Sequence, residues 1–136
     1  MAWVVDTCVL LDVLEGDSTF GESSAGCLEK YLPSGLVVCP VTFIELAPAF
    51  LGDETRELDF LHRLGAATNE EWTHDDTREG HCAWCRYVDQ RRRHQQPKRP
   101  LADILIGAFA MRFDGIITRN PDDFRVVFHR LKIVIP

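Results

Sequence analysis

Three acidic residues, Asp6, Glu45 and Asp123, follow short apolar runs where helices begin, a fourth, Asp103, stands at the start of an apolar helix, and their type limits the chemistry they could share. Carboxylates gathered without a cation repel one another, and some must then take up protons. A hard divalent cation resolves the repulsion. Mg²⁺ takes oxygen ligands, keeps several waters and leaves positions for phosphate oxygens, and Mn²⁺ accepts similar ligands. Such an ion generates a hydroxide-like nucleophile and stabilises charge on a phosphoryl group and its leaving oxygen, which is the chemistry of phosphodiester hydrolysis. The expectation is that Asp6, Glu45 and Asp103 hold the ion, directly or through water. Asp123 then completes the pocket and orients the attacking water.

The segment 100–124, P-L-A-D-I-L-I-G-A-F-A-M-R-F-D-G-I-I-T-R-N-P-D-D-F, carries two of these acids. Residues 101–111 are apolar almost throughout, and a helix that is hydrophobic all round belongs inside a domain. Asp103 interrupts it, so its carboxylate needs a cation, a hydrogen-bonding cradle or an opening to solvent. Asp114-Gly115 reads as a turn and residues 116–118 as a buried strand. Asn120 is then expected to cap a further helix with Pro121 at its first position, which places Asp122 and Asp123 in the opening turn.

Upstream, residues 3–5 read as a strand that ends at Asp6 and feeds a helix reaching residue 14. Ala25, Leu28 and Leu32 give a second helix an apolar face, and residues 36–39 make a buried strand. A helix starting at Pro40 or Thr42 and reaching residue 51 contains Pro48, which should kink or shorten it. Leu58, Leu61 and Leu64 mark another helix, residues 66–72 hold a short strand, and a long helix begins at Asp75 and runs to about residue 94. Residues 133–135 close the chain as a strand. Short apolar strands alternating with helices predict one α/β domain over 1–136, a three-layer α/β/α arrangement on a mainly parallel sheet. Sites in such sheets form beyond the carboxyl ends of the strands, where the acids fall.

Each acid also has a purely architectural role open to it. Asp6 can cap its helix. Thr42-Phe43-Ile44-Glu45 can form a capping box, unless Pro40 starts the helix and moves Glu45 to the second turn. Asp103 and Asp123 can favour the positive ends of their helices, with Asp122 competing for the role of Asp123. Asp12, Asp17, Asp53, Asp75 and Asp76 read as solvated or capping acids.

At 136 residues and 46% hydrophobic content the chain can bury a full core. Its net charge of −6 argues against holding nucleic acid by bulk electrostatics, though an enzyme with an acidic metal pocket is still allowed. A signal-peptide pattern and a membrane-length apolar run are both lacking, so a cytoplasmic protein without membrane attachment is expected. Five scattered cysteines read as reduced core thiols rather than a disulfide framework. Neither a dinucleotide nor a P-loop fingerprint occurs.

Taken together, V-V-D-T-C-V-L-L, V-T-F-I-E-L, L-A-D-I-L-I-G-A-F-A and G-I-I-T-R-N-P-D-D-F resemble the PIN-domain ribonucleases, most closely the VapC-type toxins of toxin-antitoxin pairs. The resemblance covers nearly the whole chain, and its last two segments together are its most specific part. It implies an α/β/α endoribonuclease using Mg²⁺ or Mn²⁺, with Asp6, Glu45, Asp103 and Asp123 as the metal-binding acids and Thr118 and Asn120 as supporting polar positions. It also implies an RNA substrate, products ending in 5′-phosphate and 3′-hydroxyl, a homodimer, and inhibition by a cognate antitoxin protein. Pro48 and Asn120 depart from the pattern. Some relatives place an acid at position 120, so Asp123, Asp122 and Asn120 are alternatives for the fourth ligand.

Arg91, Arg92, Arg93, Lys98 and Arg99 lie in a basic stretch that can contact an RNA backbone or simply be solvated. Trp72 and Trp84 can stack bases, but core packing is the expected role. His81-Cys82-Ala83-Trp84-Cys85 places two thiols on one helix face without a second ligand pair, so core thiols are expected there rather than zinc. A housekeeping nuclease of the same fold and a catalytically silent partner-binding module are the competing functions. A phosphatase with Asp6 as nucleophile would want a second Asp where Cys8 stands.

Overall fold

A computed structural model describes residues 2–94 and 101–136. Five strands form one all-parallel sheet in the order β3-β2-β1-β4-β5: β1 (Trp3–Val5), β2 (Leu36–Val37), β3 (Ala66–Ala67), β4 (Gly115–Ile117) and β5 (Ile133–Val134). The helices among the described residues are α1 (Thr7–Glu15), α2 (Gly21–Tyr31), α3 (Pro40–Leu46), α4 (Glu54–Arg63), α5 (His74–His94), α6 (Leu101–Ala110) and α7 (Asp122–Arg125). The three-layer α/β/α fold with a parallel sheet is therefore present. None of these helices is long and apolar enough to cross a membrane.

The strands are short but alternate strictly, as the pleat requires. Val4, Val37 and Ile116 point into one core with Ile104, Phe109, Phe124 and Phe128. Val5, Leu36, Val38 and Ile117 point into the other with Val9, Leu10, Leu28 and Leu61. The apolar helix α6 is buried over most of its length, and an added Cβ at Gly107 would strike the Phe128 ring, so glycine there permits close packing.

Several helix ends differ from the sequence expectation. Cys39 occupies the cap of α3 and Pro40 its first turn, so Thr42 is helical and the capping box with Glu45 does not form. Pro48 acts as expected: α3 stops at Leu46 and the chain continues as a 3₁₀ turn over Ala47–Phe50. Pro121, not Asn120, stands at the cap of α7, and no side chain caps that short helix. Arg91, Arg92 and Arg93 belong to the last turns of α5 rather than to a loop, while Lys98 and Arg99 lie outside the described residues.

Two groups of side chains also depart from expectation. Asp12 and Asp76 are not solvated: they are 3% and 2% exposed, because each meets an arginine distant in sequence, although Asp76 also exchanges capping hydrogen bonds with Thr73 at the start of α5, as the capping alternative expects. Cys82 and Cys85 are exposed on α5 rather than packed in the core, whereas Cys27 and Cys39 are buried. Trp72 packs as expected, its ring stacked 6.3 Å from Phe109 and its Nε1–H donating to Thr77.

Candidate active site

Strand order reverses between β1 and β4, since β2 and β3 lie on one side of β1 and β4 and β5 on the other. Open parallel sheets leave a crevice at the carboxyl ends of strands at such a reversal. Asp6 follows the last residue of β1 and Thr118 the last residue of β4, and the two strands are joined there by the Asp6 N–H donating to the Ile117 carbonyl at 3.0 Å. Two of the candidate residues therefore face each other across the crevice because their strands are neighbours.

Asp6 is 6% exposed and its backbone is extended, as a cap requires. Its Oδ1 accepts from the Thr7 N–H at 2.8 Å. Its Oδ2 accepts from the Thr118 hydroxyl at 2.7 Å and the Cys8 thiol at 3.4 Å. All three donors are neutral. Burial pushes the Asp6 carboxyl above its ordinary value; the hydrogen bonds from Thr118, Thr7 and Cys8 oppose that shift, and the charge of Asp123 adds to it. Asp6 thus caps α1 and is at the same time a sealed carboxylate that no described cation neutralises. Cys8 is pushed up to about 11, chiefly by burial and then by the charge of Asp6, so it remains a thiol at neutral pH.

Glu45 joins this group through Thr7. The Thr7 hydroxyl donates to Glu45 Oε1 at 2.7 Å and lies 3.2 Å from the buried Thr42 hydroxyl. Because α3 starts at Pro40, Glu45 sits in its second turn, exposed, with Thr42 one turn back on the same side. Neither Thr7 nor Thr42 stood out as a site residue in the sequence. A hydroxyl directly after a strand-end aspartate was the available signal for Thr7.

Asp123, in the first turn of α7, is the acid whose charge reaches Asp6; Asp122 is exposed and lies 4.0 Å from Arg125. Asn120 is exposed, and its N–H donates to the Thr118 hydroxyl at 3.0 Å, which orients that hydroxyl towards Asp6. Asp103 is partly buried in the first turn of α6. That helix leads into β4, whose first residue pairs with the first residue of β1, so α6 runs against the strands and its start lies towards their carboxyl ends. Among the described residues, however, no three His, Cys, Asp or Glu side chains stand close enough together to hold one metal ion. The structure brings Asp6, Thr118 and Glu45 into one hydrogen-bonded set with Thr7 and puts Asp123 within electrostatic reach; the expected four-acid cage is not assembled.

The donors are hard oxygens, and a cation beside Asp6 would relieve both its burial and the charge of Asp123. The sites of Mg²⁺ rest on one or two carboxylates completed by waters and substrate phosphates, so a protein cage of three is not a requirement. The chemistry of these donors therefore suits a hydrated divalent ion.

No curated protein matches the chain significantly. The family model of the PIN domain matches residues 3–129, nearly the full length and including every candidate acid. The chain belongs to the PIN domain family, whose members are usually nucleases that bind RNA and generally use divalent metal ions.

Proposed function

We propose that this protein is a Mg²⁺- or Mn²⁺-dependent endoribonuclease and acts as the VapC-type toxin of a toxin-antitoxin pair. The observation that carries the catalytic reading is Asp6, a buried carboxylate at the sheet's switch point whose donors among the described residues are all neutral and which is pressed by a second acid. Asp6 would anchor the ion, with Glu45, Asp103 and Asp123 completing its shell directly or through water. The ion, when bound, supplies an activated water and charge neutralisation at the phosphoryl group. Thr118 keeps Asp6 Oδ2 oriented and Thr7 holds Glu45, and Asp123 would orient the attacking water.

Exposed Arg91, Arg92 and Arg93 give α5 a cationic end that suits a phosphate backbone, and Lys98 and Arg99 follow in sequence. Ile44, Leu51 and Leu101 are exposed apolar side chains, at 70%, 90% and 49%, of the kind that a protein partner covers. The cognate antitoxin and a second copy of the chain are the proposed occupants, in the cytoplasm. A housekeeping RNA nuclease would use the same chemistry without the antitoxin.

The test is incubation of the purified protein with total RNA, with and without Mg²⁺ or Mn²⁺, followed by mapping of 5′ ends, with Asp103→Asn as control. Metal-dependent 5′-phosphate ends that vanish in a folded Asp103→Asn variant are expected. The second reading is a partner-binding module without catalysis, in which Asp6 and its neighbours serve only to cap helices. Absence of both metal binding and RNA cleavage would decide for that module.

A further inference from the structure

Asp12 and Arg119 form the most completed polar contact near the crevice, and no part of the chemistry above uses them. Arg119 directly follows Thr118. Its Nε and Nη2 grip Asp12 Oδ2 and Oδ1 at 2.5 and 2.9 Å, a two-point fork that fixes direction as well as distance. The Ser24 hydroxyl donates to the same Asp12 Oδ2 at 3.0 Å, and the Phe20 ring lies 4.3 Å from the guanidinium carbon. Asp12 is on α1, whose first cap is Asp6; Ser24 is on α2. The fork thus ties the backbone just beyond β4 to the same helix that carries the buried carboxylate at its start.

From this geometry we infer that Asp12 and Arg119 are positioning residues: their ion pair fixes residues 118–120 against α1 and α2, and so sets the Thr118 hydroxyl on Asp6. The fork and the Thr118–Asp6 bond are made by adjacent residues, and the Asn120 N–H on the far side of Arg119 donates back to the Thr118 hydroxyl. With Nε and Nη2 both on Asp12, the guanidinium is held against α1 and α2, which is the geometry of a positioning residue. This inference rests on the nuclease reading only for its effect on turnover; the fixing of 118–120 stands apart from it.

The experiment uses the double variant Asp12→Asn/Arg119→Met, which removes both charges so that neither is left buried alone and keeps an apolar stem over Phe20. Arg119→Lys, with charge but no fork, is the second variant. Amide exchange across residues 117–120 and RNA cleavage are measured on both, after thermal melts establish folding. The inference expects at least about tenfold faster exchange of the Asn120 amide in each variant, with kcat for RNA lowered by about tenfold and KM within about twofold. Unchanged exchange at Asn120 in a folded variant overturns it. A raised KM with kcat intact also overturns it, since Arg119 would then be holding RNA. If the unaltered protein cleaves no RNA, the nuclease reading falls and amide exchange alone decides the inference.

Discussion

Asp6 and Asp76 are both aspartates at the beginnings of helices, and both are nearly sealed from solvent, at 6% and 2% exposure. Their partners differ. Asp76 accepts from the Arg112 guanidinium at 3.0 and 3.3 Å and trades hydrogen bonds with Thr73, so its charge is neutralised by the protein itself. Arg112 is held in turn by the Glu71 carbonyl and by the Phe109 and Phe113 rings. Asp6 has a backbone amide, a hydroxyl and a thiol, and among the described residues no cation. A buried charge that lacks a counter-charge is costly unless something else supplies one. Asp76 is therefore part of the architecture, and Asp6 is where we propose that an ion binds.

The widest difference between the two corners should appear in activity. Asp6→Asn is expected to lower metal-dependent RNA cleavage by at least about 100-fold, whereas Asp76→Asn leaves the turnover of folded protein unchanged. Single-turnover assays on both variants check this. Equal losses would erase the distinction.

Stability should run the other way. Asp76→Asn breaks a charge-assisted contact and is expected to cost about 2 kcal/mol in denaturant unfolding. Asp6→Asn should raise the Tm of metal-free protein at neutral pH. The sign follows from linkage: the folded carboxyl of Asp6 lies above its ordinary value of 3.8, so the protonated form favours folding, and that contribution is lost as pH rises through the folded pKa. The gain from Asp6→Asn should therefore disappear as the pH falls below about the ordinary carboxylate value. A pH series of thermal melts, with and without Mn²⁺, follows both effects.

A smaller effect is expected at Thr7, which links the Asp6 corner to Glu45. Thr7→Val should weaken Mn²⁺ binding by about tenfold with little change in stability, as calorimetry would show. The smallest concerns the cationic end of α5. Replacing Arg91, Arg92 and Arg93 by alanine should flatten the salt dependence of RNA binding by roughly 0.7 in the log–log slope for each phosphate that the helix no longer neutralises. An unaltered slope assigns these arginines to solvent, a role consistent with the Arg93–Asp89 pair at 3.3 Å on the same helix.

What could be seen in the sequence was what local rules govern. The apolar run at 101–111, the strand ending at Asp6 and the effect of Pro48 each depend on neighbours within a turn or two, and each appears in the fold. Asp12 and Asp76 were hidden because their arginines lie 107 and 36 residues away, and no periodicity reports such a pairing. Cys82 and Cys85 misled because thiols are so often buried, while the long helix α5 turns their face to solvent. Of the candidate site, the strand-end position of Asp6 was legible. The tether from Thr7 to Glu45 was not, since it depends on where α3 begins, and Pro40 settles that against the capping box.

The most direct test of a cation at Asp6 is a calorimetric titration of Mn²⁺ into the unaltered protein, Asp6→Asn and Asp76→Asn. Saturable binding that survives in Asp76→Asn and is lost in Asp6→Asn is the expected result. Equal binding by Asp6→Asn, or none by the unaltered protein, would contradict it.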